Sequence, residues 1–171
     1  MSQATTTASS TTRVALGALR MSRRILHEIL DSLTEEQAMH VPVKGGNHAL
    51  WTMGHLAMAD QFFLKEIGGI EPSLPADWES IFGWGHPCQT DATVFPPVSD
   101  VRKAMDTKRE EVLAWFESMT EDQLDAATGD EWRDFAPTVR DLIGAMSIHE
   151  GVHSGQLMVV RKSLELPPLN M

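Results

Sequence analysis

The sequence contains no tyrosine and a single cysteine, Cys88, in 171 residues. One thiol cannot close a disulfide within the chain, so the fold does not rest on oxidation. Basic residues are scarce as well. Fourteen Lys and Arg stand against 24 Asp and Glu, a formal net charge of −10. A surface of that sign repels phosphate backbones, so nucleic acid is not an expected partner. The one tight basic cluster, Arg20, Arg23 and Arg24, reads as a solvated helix face. No apolar run is long enough to span a bilayer. Residues 1–12 are rich in Ser and Thr and lack the apolar stretch of a signal peptide. The expectation is a disordered tail over 1–12, one domain over 13–171, a cytoplasmic location and no membrane partner.

What the chain does have is helical periodicity. Leu16, Leu19, Leu26, Leu30 and Leu33 recur at three- and four-residue steps, which predicts a first helix over about 13–33. Thr34 followed by Gln37 has the spacing of a capping box, so a short helical turn begins there. A second helix is expected from Asn47 to about Ile67, where Gly68 and Gly69 end it. A third runs over about 99–119, with Val101, Met105, Val112 and Phe116 inward. A fourth runs from Pro137 or Thr138 to Leu164, and Pro167 and Pro168 follow it. Asp31 to Gln37 and Glu117 to Gln123 echo one another, which suggests two helical hairpins of similar plan. No segment alternates as a strand does. The reading is an all-α four-helix bundle with one long crossover between helices 2 and 3. That crossover, 70–97, holds five prolines together with Trp78, Phe82 and Trp84. Aromatic rings are costly to leave in water, so it should fold back over the bundle or into a partner subunit.

The chemistry lies in the histidines. In the fourth helix Val139, Leu142, Met146, His149, His153, Gln156 and Val160 form the inward seam of a bundle helix. Two imidazoles one turn apart share a face and can reach one metal ion. His55 occupies the seam of the second helix between Trp51 and Met58. Three neutral imidazoles, with further positions left to water, make an open metal site of the catalytic kind. His149 to His153 also reads as H-E-x-x-H, which in zinc proteases supplies a glutamate base. No third ligand follows it in the usual way, and no sheet is expected to hold a peptide. Glu150 is a candidate general base or else a residue of the solvated helix face. Gln156 is a candidate for orienting a ligand or a bound water, or a plain hydrogen bonder in the seam. Trp51, Met58 and Phe62 would wall the pocket. His48, at the mouth of the second helix, suits a substrate contact or a cap.

The segments Trp51-Thr52-Met53-Gly54-His55-Leu56 and His149-Glu150-Gly151-Val152-His153-Ser154-Gly155-Gln156 resemble the W-x-x-G-H-L and H-E-x-x-H-x-G-Q segments of the DinB-like superfamily, also described as YfiT-type bundles. The resemblance covers about 13–165. It implies an up-down-down-up bundle, often a homodimer, with His55, His149 and His153 binding zinc, nickel or a similar ion. It also implies that a low-molecular-weight thiol is a co-substrate of some relatives, which are thiol-dependent transferases or isomerases. A small-molecule substrate is therefore the expected partner, acted on by a metal-dependent transferase or hydrolase. A non-catalytic metal-binding or sensing bundle is the alternative.

Overall fold

The computed structural model describes residues 9–170, and every regular element among them is helical. Four long helices are α1 (Ser10–Asp31), α2 (Ala49–Glu66), α4 (Val98–Glu117) and α6 (Val139–Ser163). Two short ones, α3 (Trp78–Phe82) and α5 (Glu121–Leu124), lie in the connections. Residues 1–8 of the expected tail lie outside the described residues. Residues 9–12 are not a tail. Ser9 caps α1 by accepting from the Thr12 N–H, and Thr12 is buried.

Directions follow from the side-chain bonds. Thr12 meets Arg140, Ser22 meets Glu150 and Ser32 meets Arg161, so α1 and α6 run parallel. Arg102 pairs with Asp31 and Arg20 with Glu117, so α4 runs opposite to α1. Asp60 meets Arg109, and Gly68 lies against Trp115, along two helices that both descend. The four long helices thus run up, down, down, up. The capping boxes sit where the echo puts them. Thr34 and Gln37 exchange bonds before a 3-10 turn at Gln37–Met39, and Thr120 and Gln123 do so before α5.

The crossover folds back over α2, as its aromatic content requires. Trp78 and Phe82 are buried. Three of its carbonyls take ring N–H groups from one face of α2. Gln89 accepts from His48, Ile81 from Trp51 and Phe82 from His55. Gly54 makes this fit, because a Cβ there would stand 2.3 Å from the Phe82 ring. Gly54→Ala should therefore cost about 1–3 kcal/mol, the usual cost of overpacking. Urea unfolding of the variant beside the wild type measures it. An unchanged midpoint would mean that the crossover does not pack on Gly54.

The apolar core has two parts. One gathers Leu26, Ile29, Leu56, Met105 and Leu157, the other Leu19, Phe63, Val112, Phe116 and Ile143. Between them lies a charged layer with one residue from each long helix: Arg23, Asp60, Arg109 and Glu150, all buried. Arg109 grips Asp60 with two bonds of 2.9 Å and Glu150 with a third of 2.9 Å. Arg23 donates to Glu150 and to the Met105 carbonyl, and Ser22 donates to Glu150 at 2.7 Å. Two cations and two anions sum to zero, so the layer is neutral although buried. This corrects the reading of Arg23 as solvated. Arg20 and Arg24 are exposed, but Arg23 fills the place between Leu19 and Leu26 in the inward stripe of α1.

Candidate metal centre

His55 on α2 and His149 and His153 on α6 bring their rings together. The Nε2 atoms of His55 and His149 are 3.4 Å apart, and those of His153 and His149 3.1 Å. One ligand atom from each of the three lies within 4.8 Å of the other two. The outer nitrogens explain the aim. His55 Nδ1 is 2.9 Å from the Phe82 carbonyl and His153 Nδ1 is 3.0 Å from Gln156 Oε1. Both partners are acceptors, so both Nδ1 atoms carry the proton and both Nε2 atoms present a bare lone pair. His149 Nε2 can donate to only one of them. At least one short N···N approach therefore sets lone pair against lone pair, an arrangement that a cation relieves. Nitrogens bound at about 2 Å to one tetrahedral ion lie roughly 3.3 Å from each other. The observed spacings of 3.1 and 3.4 Å match that value, so the residues present fit a divalent ion.

Electrostatics favour ligation as well. Burial, then the neighbouring His55, holds His149 down at about 4. Burial, then His149 and His55, holds His153 down at about 3. Burial lowers His55 too, against the raising effects of the Phe82 carbonyl and Glu79. All three rings are neutral at pH 7, the form that binds metal. An unfolded chain titrates its histidines near 6.5. Between that value and about 3 it binds more protons than the folded chain, so the metal-free fold loses stability as pH falls through this window. Urea midpoints of metal-free protein should drop from pH 7 to about pH 4, inside that window. The variant with alanine at all three positions should drop less, and an equal drop in both would refute the assignment.

The surroundings are aromatic. Trp51 stacks on His55 at 4.6 Å with the planes 10° apart. Trp84, itself largely exposed, lies 5.6 Å from His149 and 5.4 Å from His55. Met58 and Phe62 are only partly buried, and Phe62 touches Trp84 rather than the trio. His149 is the least buried of the three histidines, so the trio has one side towards solvent.

The four residues expected to act beside the ligands fall into two groups. Trp51 and Gln156 border the trio, each against one ligand. His48 does not: it is fully buried, its Nδ1 accepts from the Trp51 N–H, and its Nε2 meets the Gln89 carbonyl. It caps α2 in the place expected of Asn47, and no surface of it is left for substrate. Glu150 is neither on a solvated face nor at the mouth. It is fully buried, and its oxygens are taken by Ser22, Arg23 and Arg109. Being one residue from His149 turns it about 100° around the helix, towards the core. Residue patterns miss Trp84 and the Phe82 carbonyl, since neither a loop tryptophan nor a backbone acceptor carries a helical period.

Gln156 gives a direct check on ligand positioning. Gln156→Ala removes the acceptor that fixes His153, and loss of such a partner commonly weakens metal binding about 10–100-fold. Competition with a chromophoric chelator measures it, and unchanged affinity would show that Gln156 does not orient the ring.

Comparison with known proteins bears on the fold and the family. No protein of curated function matches the chain. The crystal structure of a conserved protein from Enterococcus faecalis superposes with a TM-score of 0.63 at 18% identity, covering 92% of this chain and 99% of that one. At that identity the likeness speaks for the fold alone. The DinB superfamily matches residues 18–157, a span that includes His55, His149, His153 and Gln156. With most of its length and all three histidines inside that match, the chain belongs to the DinB superfamily.

Proposed function

We propose that the protein is a metal-dependent enzyme of small molecules, a transferase or isomerase that uses a low-molecular-weight thiol, or a hydrolase. One observation carries the reading: three neutral imidazoles aim their Nε2 atoms at a common point that has a side towards solvent. His55, His149 and His153 would hold the ion; three imidazoles accept zinc, nickel, copper or iron, and the family resemblance favours zinc or nickel. A bound ion supplies Lewis-acid chemistry and lowers the pKa of a water or thiol that reaches it. The chain's own groups do the rest. The Phe82 carbonyl and Gln156 fix two ligand tautomers, Trp51 backs His55, and Trp84 flanks the open side. Glu150 takes no part in proton transfer in this reading, because its oxygens are committed to the charged layer. With that glutamate withdrawn, and no strand among the described residues to hold a peptide, the protease reading has no support. The partners are a small-molecule substrate and a second copy of the chain.

Turnover of a panel of small thiols paired with electrophiles, and of simple esters and amides, tests the reading. Metal-stripped protein should be inactive, and zinc or nickel should restore the activity. Protein that binds metal yet turns over nothing in the panel would point instead to an ion that only braces the bundle.

A further inference from the structure

Between α2 and the start of the crossover lies a recess of ≈ 400 Å³ that contains none of the three histidines. Small-molecule sites begin at about 300 Å³, so it is large enough to seat a ligand. Met58, Phe62, Leu74 and Pro75 give it apolar walls. One polar group in it is held rigid. Gln61 is 9% exposed, and its Oε1 accepts from the Ser73 and Leu74 N–H groups at 2.8 and 2.7 Å. Those two donors settle which way the amide points, since turning it over would set its NH2 against two N–H groups. Its Nε2 bonds to nothing among the described residues and is left to the recess that Gln61 lines. A donor fixed in advance and not spent on the fold is preorganised for an acceptor from outside.

We infer that this recess binds a small carboxylic acid with an apolar body. One carboxylate oxygen accepts from Gln61 Nε2. The other meets Lys65, which lines the recess one helical turn further along the same face of α2. Lys65 Nζ lies 2.8 Å from Glu66 Oε1, but both side chains are exposed, and a surface pair of that kind holds its partners weakly. Glu79 lines the recess from the crossover side and repels an anion there. The carboxylate therefore lies against α2, and the apolar body packs on Met58 and Phe62. Phe62 also touches Trp84, which flanks His149, so a seated acid borders the metal centre without displacing a ligand. The inference concerns binding and does not rest on the chemistry of the proposed function.

Titration of the full chain with 3-phenylpropionate, followed by nitrogen–proton NMR on metal-free protein so that no ion competes for the acid, tests it. The Gln61 side-chain N–H signals and the backbone N–H signals of Ser73 and Leu74 should move and saturate. The matching alcohol, 3-phenylpropanol, should bind at least about tenfold more weakly, the worth of one hydrogen bond to a charged group. Gln61→Glu keeps an oxygen for the Ser73 and Leu74 N–H groups but sets a negative charge where the donor stood. It should keep its fold by circular dichroism and lose at least about tenfold in affinity for the acid. Lys65→Met, at an exposed position, should lose about threefold, the worth of an exposed ion pair, and it decides the matter if Gln61→Glu fails to fold. No shifts, shifts confined to the surroundings of His55, His149 and His153, equal binding of the alcohol, or undiminished binding in either folded variant would overturn the inference.

Discussion

Arg109→Ala is expected to destabilise the protein by about 3–5 kcal/mol, the range for removing one partner of a buried ion pair. The reason is local. Arg109 makes three of the bonds in the charged layer, and its hydrogen bonds bridge Asp60 on α2 to Glu150 on α6. Without it, two buried carboxylates face Arg23 alone, which already has one nitrogen, Nη2, without a hydrogen-bond partner. Replacing all four members, as Arg23→Met, Asp60→Leu, Arg109→Met and Glu150→Leu, should cost far less, since no charge is then left uncompensated. Chemical denaturation of the two proteins makes the comparison. A loss below about 1 kcal/mol for Arg109→Ala, well under the range for a buried pair, would mean that water reaches the layer.

His149→Ala, His153→Ala and His55→Ala should each lose bound metal while retaining helical structure. His149 should show the largest loss, because its Nε2 is the one common to both short approaches. With one of three ligands gone, affinity for zinc or nickel should fall by at least about a hundredfold, beyond the range for loss of an outer hydrogen bond. Circular dichroism should be nearly unchanged, since the ligands sit at the edge of the core. Elemental analysis after gel filtration measures the metal. Full content in all three variants would end the assignment.

The bundle and its histidines are legible in the sequence for a physical reason. Apolar residues at helical spacing report the inward stripe, and His149, His153 and His55 stand out because they interrupt it. The same interruption marks Arg23 between Leu19 and Leu26, and Arg109 between Met105 and Val112. There it does not announce burial, because a lone charge is ordinarily solvated and its compensating partners lie on other helices. Which charges pair across a bundle depends on helix rotation, which the residue pattern of one helix read alone does not report. Glu150 shows the consequence. Its place in H-E-x-x-H suggests chemistry, while its angle on α6 delivers it to the core. His48 likewise reads as a residue of the mouth, because nothing in its own helix announces that the crossover sets Gln89 above it. The helix boundaries differ by a few residues where caps decide them, as at Ser9 and His48.

The most direct measurement is X-ray absorption on protein loaded with one equivalent of zinc or nickel. Multiple scattering from imidazole should count about three rings per ion, with metal–nitrogen distances of about 2 Å and the remaining positions filled by exchangeable oxygen donors. One ring or none, or a metal-stripped wild type that takes up no ion, would show that His55, His149 and His153 do not share a metal.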